Sequence, residues 1–127
     1  MIPERYAPTT YALFRIVFGF LFLCIGLQKT MGMFGGQVPP LMSMQGAAGV
    51  IETGGGLLIM IGFLTRYAAF ICSGEMAVAY FLVHQAIGPL PIVNMGERAV
   101  LFCFAFLYIA SRGAGKLSVD AAMGSKA

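Results

Sequence analysis

Apolar side chains dominate four stretches of this chain, and each stretch is broken at intervals by a charged residue. A bilayer core takes about 20 mostly apolar residues per helix, and the stretches 10–28, 46–64, 67–84 and 94–110 meet that need. Between the first two lies "KTMGMFGGQVPPLMSMQ", rich in Gly, Pro and Met, which reads as an interfacial loop. "TR" at Thr65 and Arg66 reads as a very tight turn that makes spans two and three antiparallel neighbours. "QAIGPLPIVN" joins spans three and four, its prolines unsuited to a helix interior. The tail 113–127 is small and polar and reads as loosely ordered. The pattern predicts a single all-α membrane domain over 1–127, an antiparallel bundle of four transmembrane helices.

Composition strengthens this reading. Of 127 residues, 59% are hydrophobic and 10% charged, with a mean hydropathy of +0.86. Soluble domains carry roughly 25% charged residues, so this chain lacks the polar groups to cover a water-facing surface. The net charge of +3 is spread without a patch or stripe, which argues against nucleic acid as a partner and leaves membrane lipids as the surroundings. Arg15 interrupts the first apolar run, and no small-x-small cleavage site precedes Gln28 and Lys29, so the first span reads as retained rather than as a removable signal peptide. The end of the bundle that holds the N-terminus also carries Arg5, Arg66, Arg112, Lys116 and Lys126, against Lys29 and Arg98 at the other. Lys and Arg gather on the cytoplasmic side, so both termini are expected to be cytoplasmic.

Each span holds an ionisable residue: Arg15, Glu52, Glu75, and Glu97 with Arg98. A central charge costs on the order of 2.5–3.5 kcal/mol on insertion scales, so these groups must pair, protonate or line a hydrated cavity. With about 1.5 Å of rise per residue, Arg15 lies about 8 Å and Glu75 about 12 Å from the N-terminal end, within reach of a buried ion pair. Glu52, Glu97 and Arg98 fall in the other half, near Gln28, Lys29, His84 and Asn94, as a polar pocket that binds a ligand or relays protons. Arg15, Gly19, Phe22 and Gly26 share one helical face; Ala48, Gly49, Glu52 and Gly56 share another; Ala68, Cys72, Glu75 and Ala79 a third. Small residues beside charge let membrane helices approach closely. His84 falls about half a turn from Glu75 and joins the cluster only if its helix ends or unwinds first. Ion pairs that merely fix helix register are the competing reading for both layers. No metal-ligand spacing is present, and Cys24, Cys72 and Cys103 read as packing residues, with a redox pair between helices left open.

"LFRIVFGFLFLCIGLQKTMGMFGG", "AGVIETGGGLLIMIGFLTRYAAFICSGEMAVAYFLVH" and "NMGERAVLFCFAFLYIA" together resemble the DoxX family of bacterial membrane proteins. The early arginine of span one, "GLQK", the Glu-x-Gly-Gly at Glu52, "GFLTR", the Asn-x-Gly-Glu opening of span four and a terminal Ser-x-Asp at Ser118 and Asp120 carry the resemblance. It implies a four-helix protein of the bacterial inner membrane tied to redox chemistry. Members are associated with quinone-reducing thiosulfate oxidation, quinol oxidase preparations, quinone and catechol detoxification, and oxidative or thiol stress. No haem, flavin or metal motif is present, so the expectation is at most a quinone-linked oxidoreductase subunit, with quinone or quinol as its ligand. Its partners would be a redox subunit or a second copy of the chain. A non-catalytic membrane anchor and a small lipophile transporter stand as alternatives.

Overall fold

A computed structural model describes residues 1–124, so Lys126 and the end of the 113–127 tail lie outside the described residues. A short 3-10 turn, Glu4–Tyr6, leads into α1 (Ala7–Thr30). Then follow α2 (Met44–Ile61), α3 (Thr65–Ala79) with a wider turn at Tyr80–His84, α4 (Pro91–Asn94), α5 (Glu97–Arg112) and α6 (Val119–Ala122). The described residues contain no strand. Three segments are long and apolar enough to cross a membrane: Glu4–Thr30, Met44–Ile61 and Thr65–His84. α5 has 16 residues, about 24 Å of helix, and falls short of that length.

Small residues set the closest helix contact. A Cβ on Gly19 would lie 2.5 Å from the Met60 amide nitrogen, and one on Gly56 2.5 Å from that of Leu23. The backbones of α1 and α2 therefore meet where neither carries a side chain, as small-residue membrane interfaces do. α3 packs along α5, where the Ser73 hydroxyl donates to the Cys103 carbonyl at 2.7 Å. Phe22 of α1 packs tilted against Phe102 and edge-on against Phe106 of α5, at 5.2 and 4.7 Å between ring centres, joining the two pairs. Ile59, Cys72 and Ile109 complete the buried core around these rings. Cys24, Cys72 and Cys103 are free thiols.

The turn between α2 and α3 lies earlier than the sequence pattern places it. Gly62, at φ 75°, ends α2 in the left-handed region, and the Phe63 amide closes back on the Leu58 carbonyl. Thr65 and Arg66 are thus the first residues of α3, not the turn itself.

The tail differs more. Residues 113–124 dock across this turn, and the carboxylate of Asp120, 2% exposed, accepts from the Leu64 and Thr65 amides and the Thr65 hydroxyl. Ser118 caps α6 by accepting from the Ala121 amide. The expectation of a loosely ordered tail missed this because the apolar pattern along 113–124 is too short to mark an element. The contacts that order it are hydrogen bonds between residues more than 50 positions apart.

Candidate functional site

Arg15 and Glu75 are not partners. Arg15 is fully buried, yet its terminal nitrogens donate to the Ile59 and Met60 carbonyls at 2.7 and 2.8 Å and to those of Lys116 and Leu117 at 3.3 and 2.7 Å. The last carbonyls of a helix have no internal donor, and Arg15 supplies one to α2 while anchoring the folded-back tail. Arg66 does the same for α5, donating to the Ala110 and Ser111 carbonyls. Depth alone placed Arg15 beside Glu75. The guanidinium instead finds a set of backbone acceptors that no sequence pattern displays.

Glu75 belongs with Glu52. Both carboxyls line a cavity of about 580 Å³. Glu52 is 1% exposed, and its Oε1 accepts from the Lys29 ammonium at 2.9 Å. Oε2 of Glu52 and Oε2 of Glu75 are buried with no hydrogen-bond donor among the described residues. Buried polar atoms are nearly always partnered, so two such oxygens in one cavity are a ligand-site signal. The wall is otherwise mainly apolar, with Phe22, Ile25, Ile51, Met76 and Phe102 among its members.

His84 and Arg98 line the same cavity. At Tyr80–His84 the helix widens: the Gln85 amide donates to Tyr80, five residues back, at 2.9 Å. That extra residue in the turn re-phases His84, which meets the condition under which it joins the cluster. Its Nδ1 lies 3.0 Å from the Asn94 carbonyl. A carbonyl only accepts, so Nδ1 carries the hydrogen, and Nε2 of the neutral ring is an acceptor.

Three residues expected in this pocket lie elsewhere. Gln28 donates to the Phe34 carbonyl at 3.2 Å, holding the α1–α2 loop. Asn94, fully buried, donates to the Gly88 carbonyl and the Tyr80 hydroxyl and accepts from the Gly96 amide, tying the loop to the start of α5. Glu97 is exposed as the first residue of α5. Similar depth does not bring them together, because Gln28 and Asn94 are taken by nearby loop backbone. Glu75 was the member the depth argument assigned elsewhere; its position on one face with Cys72 and Ala79 was the available signal. Asp120 was visible only as part of Ser-x-Asp. Among the described residues no three His, Cys, Asp or Glu side chains group as a metal site.

Apolar helices of spanning length around a cavity whose polar groups are carboxyls, an amine, an amide, an imidazole and a guanidinium define a helical membrane protein with a small-molecule-sized pocket. The DoxX family profile matches residues 10–85, and the chain belongs to that family. A Haemophilus influenzae protein described as uncharacterized is 43% identical over 124 residues, 92% of either chain. The inner membrane protein YqjF of Escherichia coli is 31% identical over 119 residues, 88% of this chain and 90% of that one. No solved structure matches.

Proposed function

We propose that the chain crosses the bacterial inner membrane as an antiparallel bundle of four helices with both termini cytoplasmic. Its cavity, in this reading, binds a quinone-like lipophile in support of membrane redox chemistry. The observation that carries the proposal is Glu52, 1% exposed, with one oxygen lacking a donor in the wall of a largely apolar cavity. An ionisable group in a membrane bundle marks a functional site by default. Small-molecule sites are concave, about 300–1,000 Å³, mostly apolar and fitted with a few placed polar groups; at about 580 Å³ this cavity falls within that range. Phe22, Ile25 and Phe102 offer a surface for a ring and tail, while Lys29, His84 and Arg98 address the head group. With no haem or flavin motif in the chain, electrons are assigned to a partner subunit or to the quinone itself. α5 is taken as the fourth crossing, the Lys and Arg bias sets the orientation, and the printed name of the YqjF relative supports the inner membrane.

Gly74 lines the cavity, and a Cβ there would meet no atom within 4 Å. Gly74→Leu therefore adds a side chain at the cavity wall with no clash at its Cβ. Wild-type protein purified in mild detergent is expected to bind a decyl-tailed benzoquinone saturably. The variant should bind it on the order of tenfold more weakly, at unchanged thermal stability. Absence of saturable binding to the wild type overturns the proposal.

A further inference from the structure

The cavity is walled unevenly. Towards α1 and α5 it is closed: Phe22, Ala99 and Phe102 line it and are 0%, 6% and 5% exposed. Towards α2 and α3 the lining side chains also form part of the outer surface. Ile71, Val78 and Leu82 are 57%, 54% and 59% exposed, and Met44 on α2 is 58% exposed. Ile71, Gly74, Val78 and Leu82 recur at helical spacing as one stripe, and Met44, Ala47 and Ile51 do so on α2. Small residues stand at both edges: Ala47 is exposed, and a Cβ on Gly74 would meet nothing within 4 Å. The gap closes nearer the α2–α3 turn, where a Cβ on Gly55 would collide with the Cys72 sulfur. Ile71 and Leu82 lie about 9 and 26 Å along the helix from Thr65, within a segment of spanning length. The slot therefore opens at the depth of the hydrocarbon layer, about 30 Å thick.

We infer that the pocket is loaded sideways from the bilayer through this slot between α2 and α3, and that the slot then holds the ligand's alkyl tail. The inference rests on the lipophile reading proposed above and adds the route and the seat of the tail. The cavity also reaches the polar end of the bundle, where Gln45, Met95 and Arg98 line it and are exposed. Entry there would draw the tail through water. Each methylene prefers an apolar phase by about fourfold, so ten of them hold a tail in the bilayer by about a millionfold. Through the slot the tail never leaves apolar surroundings, since Met44, Ala47, Ile71, Val78 and Leu82 offer it no polar group. The head group alone crosses to the polar wall, where Glu52, Lys29 and Glu75 lie.

The test uses full-length protein in lipid vesicles and a decyl-tailed benzoquinone carrying a photoreactive diazirine at the tail end. Adducts are mapped by mass spectrometry, and those that an excess of the plain decyl-tailed compound displaces are counted as specific. In the wild type they are expected on the stripes Met44–Ile51 and Ile71–Leu82. Displaceable adducts confined to residues 84–98 would place the tail at the polar end and overturn the inference. Saturable binding with no displaceable adduct on either stripe would overturn it as well, while leaving the lipophile site standing. Absence of saturable binding would remove the site reading on which the inference rests. As a second measure, Val78→Trp fills the slot and should weaken binding of the decyl-tailed compound on the order of tenfold. Phe70→Trp, exposed on α3 but in a groove shared with Phe104 and Leu107 of α5, should leave it unchanged. Equal affinity in a folded Val78→Trp and the wild type overturns the tail seat. The wild-type adducts decide the matter if the variant misfolds.

Discussion

Asp120→Ala is expected to destabilise the protein more than any exposed tail substitution. The carboxylate is 2% exposed and takes hydrogen bonds from the Leu64 amide, the Thr65 amide and the Thr65 hydroxyl at 3.1, 3.1 and 2.9 Å. It is the external cap of α3, entered through Leu64 at φ 51°, a left-handed conformation uncommon for leucine. Removing one partner of a buried hydrogen bond costs about 1–3 kcal/mol for each group stranded, and loss of a helix cap about 1 kcal/mol. Three donors are involved, but the hydroxyl can rotate and water can enter from the helix end, so about 3 kcal/mol is the working figure. For a chain of this size that corresponds to a fall on the order of 10 °C in the unfolding midpoint. Asp120→Asn, which keeps one acceptor oxygen, should fall about half as far. Ser118→Ala, which removes the α6 cap and the hydroxyl's bond to the Gly115 carbonyl, should cost about 1 kcal/mol. Thermal unfolding followed by circular dichroism in one detergent, with size-exclusion recovery as a second measure, compares them. An Asp120→Ala midpoint within 2 °C of the wild type (about 0.5 kcal/mol by the same scaling) would refute the claim that the tail caps α3.

Arg15→Leu should lower thermal stability sharply, because it strands carbonyls of α2 and of the tail; combined with Glu75→Leu the two effects should add to within about 0.5 kcal/mol. Clear non-additivity in the thermal midpoints would restore the abandoned ion pair. For orientation, in a background lacking the native cysteines, Gln37→Cys should react with an impermeant thiol reagent in intact cells and Met123→Cys should not; the reverse labelling pattern would invert the topology.

How much of this was legible beforehand depends on how local the cause is. Helix existence was, because each long helix is marked by a sustained apolar run and its buried stripe by spacing: Arg15, Gly19, Phe22 and Gly26 are all buried on α1, and Gly49, Glu52 and Gly56 on α2. Helix ends were less so, since Gly62 in the left-handed region outweighed the polar look of Thr65 and Arg66. Partners of long polar side chains were least legible. Arg15 binds backbone carbonyls up to 102 positions away, and a carbonyl acceptor leaves no letter in the sequence. Lys29 and Glu52, one helical stripe apiece, do meet. Gln28 and Asn94 are drawn to nearby loop backbone instead, where chain proximity favours the contact over convergence from two helices.

The two ends of the bundle spend their polar groups differently, and that difference locates function. At the end bearing the α2–α3 turn, Arg15, Arg66 and Asp120 each serve a helix terminus, and the Tyr11 hydroxyl donates to the Gly113 carbonyl while the Arg112 guanidinium lies 5.1 Å from the Tyr11 ring centre. These contacts satisfy what the helix ends lack, so replacing them should alter stability first. At the cavity end, the helix backbone makes no such demand on Glu52 or Glu75. Their oxygens face a space large enough for a small molecule, and one of each is left without a donor. A group kept only for helix register would be better replaced by an apolar side chain of similar volume, since buried ionic groups seldom stabilise more than their hydrophobic counterparts. The carboxyl pair is therefore better explained by what enters the cavity than by what surrounds it.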